Sequence, residues 1–338
     1  GGSGSPQMRY GGLIENSLII EGYWYSSTHS TINSRRGPKN AWLVEGKQQG
    51  RSAVVRNNVQ LIYKYPSPND PDTNKGKESA VNAQYGGGYN LSGSSFGALI
   101  ENNIISGALM ANDLGFGDFG GRFGFKMGLN LLEYPDGKTY NQQRNTFRGN
   151  IAYRTSAGFS LGGNGTDARG HVVENNVFAA KQGVSASKPE GLKSTDQLVL
   201  RNNRIYAEEK ALPEAPWMGS GNKVMDYSEA AEKEGWPDPD RTLKRYVTEE
   251  LGLTLLDWSD DPWLPEEEVA PRVKAGEAYD PIGVKTFMAV ATNMRRGGTE
   301  PIPESGKPSW TGDYPWDARF TGQAVVNWIR AGFGLPPV

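Results

Sequence analysis

Short apolar segments interrupted by two small polar residues recur between residues 10 and 210. Each copy has an apolar residue, a charged residue, Asn or Gly, Asn or Ser, and then usually an apolar residue, as in Val173-Glu174-Asn175-Asn176-Val177. The apolar flanks are typical of buried strands, whereas the polar pair interrupts them. The copies lie at residues 14–18, 55–59, 100–104, 147–151, 173–177 and 200–204.

The two central columns of this repeat predict different roles. The first, which we name the bend column, holds only residues that adopt the left-handed conformation at little cost, and it is therefore expected to turn the chain: Asn16, Asn57, Asn102, Gly149, Asn175 and Asn202. The second, the amide column, never holds Gly: Ser17, Asn58, Asn103, Asn150, Asn176 and Asn203. Stacked amides can hydrogen-bond to one another along adjacent strands, which predicts an asparagine ladder.

The spacing of the bend column favours stacked repeats. Its last two intervals, from Gly149 to Asn175 and from Asn175 to Asn202, are nearly equal at 26 (175 minus 149) and 27 (202 minus 175). Such a period suits one coil of a β-solenoid. The earlier intervals are 41, 45 and 47 (57 minus 16, 102 minus 57, 149 minus 102), so those coils carry long loops or hide a coil whose bend is unmarked.

On these repeats the chain resembles the right-handed parallel β-helix family, the fold of pectate lyases, polygalacturonases, alginate-modifying enzymes and phage tailspikes. The resemblance covers the repeats between residues 10 and 210. It implies an all-β solenoid but no particular activity.

Two regions are expected. Residues 1–210 form the parallel β-helix, and residues 211–338 form a smaller, mainly helical and irregular region that covers its last coil. Three helices are predicted there. Asp238-Pro239-Asp240 and Asp280-Pro281 each supply a cap and a first-turn proline for one helix, the third follows Asp317, and Gly334 is the expected stop of that last helix. The opening GGSGSPQMRY lies directly before the first repeat, without a signal-like segment. This predicts a truncated fragment with coils and any export signal upstream, or GGSGS is a linker.

Composition excludes several classes of function. Charges nearly balance, with 36 basic and 38 acidic residues, so nucleic acid is not the expected partner. There are no cysteines, which excludes thiol catalysis, thiolate metal sites and disulfides. With only His29 and His171, a three-histidine zinc site is excluded, and His171 is expected to be a structural residue at a strand start. No apolar run is long enough to span a bilayer.

The glycine-punctuated segment MANDLGFGDFGGRFGFKMG contains the main catalytic candidates, Asp113, Asp118, Arg122 and Lys126. Two carboxylates can act as acid and base, or as acid and nucleophile, on a glycosidic bond. A lyase instead needs a cation against a uronate carboxylate and a base for the adjacent proton, for which Arg122, Lys126 and Tyr140 have suitable side chains. In the alternative, the phenylalanines of this segment pack into the solenoid and its charges face water. The polygalacturonase NxD, DD, GHG and RxK set and the YGxDPH-type epimerase motif are absent.

Further segments are candidates for binding. The aromatic run of Tyr23, Trp24 and Tyr25 either stacks on sugar rings or packs beneath a loop, and a basic stretch that begins with Arg35 and Arg36 either attracts an acidic polymer or is a solvated loop. Asp70, Asp72 and Asn74 alternate as calcium ligands do, but Gly76 stands one position late and no acidic residue closes the loop. Calcium is therefore the one cofactor candidate, with a polar surface loop as the alternative.

These observations lead to two main functional hypotheses, and to a third, an autotransported or assembled filament subunit with exposed ends able to stack, against which the bulky region after residue 211 argues at one end. The first is a secreted bacterial β-helix, extracellular or at the cell surface, that binds a neutral or acidic polysaccharide and, as a lyase or glycoside hydrolase, cleaves it. The alternative is a non-catalytic structural or adhesive solenoid. The oligomeric state and the substrate are not determined by the sequence.

Overall fold

Strands predominate in the computed structural model of this protein. It describes residues 7–8, 12–22, 30–34, 43–44, 47–48, 53–63, 87–91, 97–107, 123–127, 132–133, 139–140, 144–161, 170–186, 197–209, 219–256, 283–295 and 317–338. The strands are β1 Gln7–Met8, β2 Gly12–Glu15, β3 Leu18–Gly22, β4 Ser30–Ser34, β5 Leu43–Val44, β6 Lys47–Gln48, β7 Ala53–Arg56, β8 Val59–Tyr63, β9 Gly87–Leu91, β10 Leu99–Glu101, β11 Ile104–Ser106, β12 Phe123–Met127, β13 Leu132–Glu133, β14 Thr139–Tyr140, β15 Thr146–Arg148, β16 Ile151–Leu161, β17 Val172–Glu174, β18 Val177–Ala186, β19 Val199–Arg201, β20 Arg204–Ala207 and β21 Lys223–Asp226.

Most of these strands belong to two sheets. An eleven-stranded sheet follows the path β1-β4-β9-β12-β16-β11-β8-β3, and β18, β20 and β21 continue from β16. A six-stranded sheet has the order β19-β17-β15-β10-β7-β2. Within both, every strand pair that the structure describes is parallel, whereas the small pairs β5–β6 and β13–β14 are antiparallel. The prediction of a β-rich chain with parallel pairing is thus confirmed.

Equivalent positions of successive repeats are directly paired. We call each strand–bend–strand copy a rung, because its first strand pairs with the first strand of the next copy in matched register. The apolar column runs through Ile14, Val55, Ile100, Phe147, Val173 and Leu200. The last five of these side chains are almost fully buried, so this column forms part of the core.

The bend column turns the chain as predicted. All six of its residues have positive φ, between 53° at Asn16 and 64° at Gly149. A seventh bend, at Gly221 with φ 75°, follows Asn202 after a shorter interval than any between the earlier bends. The stacking therefore continues beyond residue 210, where the sequence places the end of the repeats.

The amide column forms the predicted ladder. In the rungs from Asn58 to Asn203, each side-chain Nδ2 donates to the next Oδ1 at 2.9–3.1 Å, and the ladder ends on Asn222. Each Nδ2 also donates to a backbone carbonyl of the preceding rung, as Asn176 does to Phe147 at 3.1 Å. Buried amides with both groups bonded avoid the desolvation cost of an unpaired polar group.

The chain divides into two compact units, residues 1–235 together with residue 338, and residues 236–337. The first unit also contains helix α1, Tyr227–Glu234, which the sequence reading missed and which is capped by Asp226. The second contains α2 Leu243–Arg245, a π-helix over Tyr246–Glu250, α3 Val284–Arg295, a 3-10 helix over Ala318–Phe320, and α4 Gly322–Gly332.

One predicted helix cap of the second unit is corrected. Thr242, and not Asp238, caps α2, while the Asp238 carboxylate binds Arg245 at 2.9 Å. That ion pair and its hydrogen bonds lower the pKa of Asp238. Asp317 caps only the 3-10 helix, and Thr321 caps α4. A side chain that can bind either a helix amide or a nearby guanidinium is drawn to the cation, which sequence spacing does not reveal.

Candidate functional site: an outward polar row

Most of the predicted site residues lie outside the described residues. These are Asp113, Asp118, Arg122, Tyr23, Trp24, Tyr25, Arg35, Arg36, Asp70, Asp72 and Asn74, and their roles remain predictions. Tyr140 has a described backbone in β14, where it pairs with Leu132. Lys126 is the one predicted site residue whose side chain the structure describes, and the site is therefore built from its strand.

Lys126 lies on β12 with its side chain directed away from the core. Its neighbour Phe125 is 1% exposed, whereas Lys126 is half-buried, as the alternation of a strand requires. The core column that contains Phe125 continues through Phe159 and Val184, which are also buried. These apolar neighbours fix the direction in which the lysine projects.

The residues in register with Lys126 form a polar row across the sheet. Lys126 pairs with Ser160 of β16, and Ser160 pairs with Ser185 of β18. Both serines are half-buried next to buried residues, so they project to the same side as the lysine. On the other side of Lys126, the same register position is held by Asn90 and then Asn33. We name the set Lys126, Ser160 and Ser185 the outward polar row.

The geometry of this row suits an extended ligand. Neighbouring strands in a parallel sheet lie about 4.8 Å apart, so the backbone positions of Lys126, Ser160 and Ser185 follow one another at that interval across the sheet. A hydroxyl both donates and accepts hydrogen bonds, while the lysine ammonium only donates and carries a positive charge. Groups of these kinds are the ones that bind the hydroxyl and carboxylate groups of sugars.

Two other polar side chains of β18 bind the carboxylate of Glu209. Lys181 contacts the Glu209 carboxylate at 3.0 Å, and Gln182 donates to the same carboxylate at 3.5 Å. The hydrogen bond from Lys181 is the main cause that lowers the pKa of Glu209, and the same bond raises the pKa of Lys181. Both groups are thus charged at neutral pH and engage each other.

A β-bulge sets the position of the row on β16. Between Tyr153 and Thr155 the pairing with β18 shifts register, and Arg154 between them has φ 53°. The Arg154 guanidinium then lies over the Tyr153 ring, 5.9 Å from its centroid, and its Nε donates to the Tyr227 hydroxyl at 3.3 Å. The extra residue shifts every later side chain of β16 by one position, which directs Ser160 outward.

His171 has the structural role predicted for it. Its side chain is fully buried, and its Nδ1 accepts the backbone amide of Asn145 at 3.1 Å. Asn145 in turn accepts the Ala98 amide at 2.8 Å, so a second, shorter ladder joins three rungs. The hydrogen bond from the Asn145 amide ties the His171 ring to the neighbouring repeat, which is a structural role.

Ser160 and Ser185 were missed by the sequence reading, although a signal exists. Each follows a buried apolar residue, as Lys126 follows Phe125. Their offsets from the preceding bend residue are unequal, however: 24 for Lys126 (126 minus 102), 11 for Ser160 (160 minus 149) and 10 for Ser185 (185 minus 175). Because the segments after the bend differ in length, the repeat in the sequence does not show that Lys126, Ser160 and Ser185 are aligned.

Two other features are absent from the part of the chain that the structure describes. There, no cluster of three His, Asp or Glu side chains is suited to hold a metal ion. No helix within the same residues is long and apolar enough to cross a membrane. Comparison of the chain with family models, curated proteins and solved structures finds no match.

Proposed function

We propose that this chain forms a right-handed parallel β-helix and binds a polysaccharide along the outward polar row. The single observation that supports this function is the alignment of Lys126, Ser160 and Ser185 in one register across adjacent parallel strands. Polar side chains on successive strands, whose backbones lie about 4.8 Å apart, suit the repeating hydroxyl groups of a linear sugar chain. The lysine adds a preference for a polymer with carboxylate groups.

The parallel pairing of all rungs supports the β-helix part of this proposal. Successive rungs pair in the same direction and in matched register, and the bend residue recurs at one position of every rung. The connections between paired parallel strands follow the right-handed rule in nearly all proteins. An extracellular or cell-surface location belongs to the same proposal, as the resemblance to secreted polysaccharide-active β-helices implies.

Cleavage is a further part of the proposal that concerns the predicted catalytic residues. In a lyase reaction, Lys126 neutralises the carboxylate of a uronate and thereby makes the adjacent proton more acidic, while Arg122 or Tyr140 takes part as a second cation or as the base. In a hydrolase reaction, Asp113 and Asp118 supply the two carboxyl groups. The two reactions differ in their products, because only the lyase leaves an unsaturated sugar.

The test is calorimetric titration of the full chain with polygalacturonate, alginate and the neutral polymer dextran. We expect an acidic polymer to bind, and Lys126→Gln to weaken its affinity at least about tenfold, which corresponds to about 1.4 kcal/mol for one charge-assisted contact. Lys233→Gln is the matched control, because Lys233 is an exposed lysine of α1 whose partner is Glu229. Absence of binding by folded protein, or equal losses in both variants, would contradict the proposed site.

The same mixtures separate binding from cleavage. Ultraviolet absorbance of an unsaturated uronate together with new reducing ends indicates a lyase. New reducing ends alone indicate a hydrolase. Binding without either product assigns the row to a binding module.

A structural or adhesive solenoid is the second candidate, and one observation favours it. Three of the exposed Glu–Arg pairs join neighbouring rungs, Glu15–Arg56, Glu101–Arg148 and Glu174–Arg201. Each of these ion pairs links two neighbouring rungs, which is a role expected in a structural protein. Failure of all polymers in the titration, with a stable fold, would favour this candidate.

A further inference from the structure

The charged position of the repeat alternates in sign along the stack. This charge column, the residue immediately before each bend, reads Glu15, Arg56, Glu101, Arg148, Glu174 and Arg201. Each arginine donates its Nε to the glutamate of the preceding rung, at 2.7, 2.9 and 2.9 Å. Every rung thus places its charge beside opposite charges in the adjacent rungs. Alternation of this kind favours one register over a slipped one.

Among the described residues, the first rung has a neighbouring rung on one side only. In the order of the two sheets, β2 and β3 are terminal strands, so among the described residues each is paired on one side only. The next strand along the chain, β4, is paired on both sides, with β9 and with β1 through Gln7↔Asn33 and Met8↔Ser34. β1 thus lies beside β4 where a strand of a preceding repeat would pair, and it comes just before β2 in the chain.

The hydrogen bonds of the later rungs indicate which backbone donor the carbonyl of Glu15 would accept from a preceding rung. In each later rung the carbonyl of the charge column accepts the bend amide of the preceding rung, as Arg56 does from Asn16 at 3.3 Å and Glu101 from Asn57 at 3.2 Å. The equivalent carbonyl, that of Glu15, instead accepts the Ser17 hydroxyl at 3.0 Å. Among the described residues, no backbone amide of a preceding rung donates to this carbonyl.

Side chains mark the same edge. Ser17 replaces asparagine in the amide column at this rung, and the exposed Leu13 lies on β2 with 54% of its surface accessible. Glu15 is the first member of the charge column, so its alternation calls for a basic residue on the side away from Arg56. Among the described residues no rung lies on that side.

We infer that the edge formed by β2, Ser17 and β3 is a docking site for a parallel strand–bend–strand segment that carries a basic residue in the charge column. The backbone amide of the incoming bend residue donates to the Glu15 carbonyl. The side chain of an asparagine in the incoming amide column donates to the Ser17 hydroxyl. The Leu18 amide donates to the carbonyl of the incoming amide-column residue, as Val59 does to Ser17 at 3.0 Å in the next rung. Strand addition of this kind takes affinity from the backbone and specificity from the side chains.

The charge column also argues against a second copy of this chain as the occupant. A second copy stacked head to tail would place its last rung, Ser220-Gly221-Asn222, against this edge. Ser220 then stands where the alternation requires a cation. The inference is independent of polysaccharide binding, since it involves neither Lys126 nor its row.

A peptide with the sequence of residues 197–209, QLVLRNNRIYAEE, is a suitable probe because it has Arg201, Asn202 and Asn203 in the three columns. Its matched control carries Arg201→Glu within the peptide. By fluorescence anisotropy with the full chain, we expect the arginine peptide to bind about three- to fivefold more tightly than the control, as one exposed charge pair allows. The protein variant Glu15→Gln should remove that preference, and Ser17→Asn should tighten binding of the arginine peptide.

The position of binding is measured separately, with a nitroxide at the peptide terminus and amide signals of the isotope-labelled protein. Selective broadening of residues 12–20 supports the inference. Broadening of residues 219–226 instead, equal affinities for both peptides, or no binding to folded protein would overturn it. Concentration-dependent self-association that the peptide displaces would also overturn it, in favour of a second copy as the occupant.

Discussion

The two compact units of this chain are stabilised in contrasting ways. In residues 1–235 the same few contacts repeat from rung to rung, with an amide ladder inside and Glu–Arg pairs outside. In the described part of residues 236–337 the contacts do not follow a repeat. Examples are the Arg241 guanidinium 4.8 Å from the Trp328 ring centre and the Trp236 ring against Phe333 at 4.8 Å. A periodic unit shares each contact type among many residues, while the second unit depends on individual contacts.

The largest expected effect concerns the ladder of the periodic unit. Asn176→Leu should lower the free energy of unfolding by about 1–3 kcal/mol, because the buried amides of Asn150 and Asn203 each lose a partner. The measurement is denaturant unfolding followed by far-ultraviolet circular dichroism. Asn175→Gly is the matched control one residue away, since φ 55° at that position is easily adopted by glycine. Equal stabilities of wild type and Asn176→Leu would remove the ladder from this account.

The next largest loss of stability is expected from one hydrogen bond of the second unit. The Tyr246 hydroxyl donates to the Arg319 carbonyl at 2.6 Å, and the ring is 2% exposed. Tyr246→Phe should therefore lower local stability by about 1 kcal/mol at neutral pH. Hydrogen exchange at the amides of residues 243–251 measures the change, and no change there would show that the hydroxyl contributes nothing.

The same tyrosine predicts a pH dependence of the second unit. Burial, and then the charge of Glu250, raise the pKa of Tyr246 from 10.0 to about 12. The folded state thus holds a proton that the unfolded state releases near pH 10, so stability is fully present below pH 10 and falls as pH rises towards 12. Tyr246→Phe should lack this part of the alkaline loss. A parallel alkaline decline in both proteins would contradict the assignment.

The smallest effect is expected at the surface of the periodic unit. Arg201 and Glu174 approach to 2.7 Å, but the arginine side chain is 52% exposed. A double-mutant cycle with Glu174→Gln and Arg201→Gln should give a coupling energy below about 1 kcal/mol, and a smaller one at high salt. The role of the charge column is thus to select the neighbour in the stack. A coupling energy as large as the ladder effect would contradict that division of roles.

The sequence predicts the repeats of the periodic unit and the three helices of the second unit, but not the contacts that place individual side chains. Repetition made Asn175 and Asn176 readable, because six copies separated a column that must bend from a column that must hydrogen-bond. Gly221 and Asn222 were missed because the interval from the preceding bend is shorter there and the flanking residues change. In the second unit, Asp238 has the spacing of a cap but binds Arg245, a choice made by tertiary contacts.

The candidate site shows the same limit of prediction. Lys126 was identified from its glycine-rich segment, but its partners Ser160 and Ser185 come from other rungs. They are placed beside it by strand register, and one bulge at Arg154 decides which side chains of β16 face outward. Local pattern does not reveal a bulge that depends on pairing with another strand.

The most direct test of the contrast between the two units is hydrogen exchange with mass spectrometry, on wild type and Asn176→Leu under native conditions. If the ladder stabilises the periodic unit, exchange should accelerate in residues 146–151 and 199–207, the rungs on either side of Asn176. Residues 322–332 of α4 should keep their protection. Unchanged exchange in the neighbouring rungs, or equal acceleration in α4, would contradict the account.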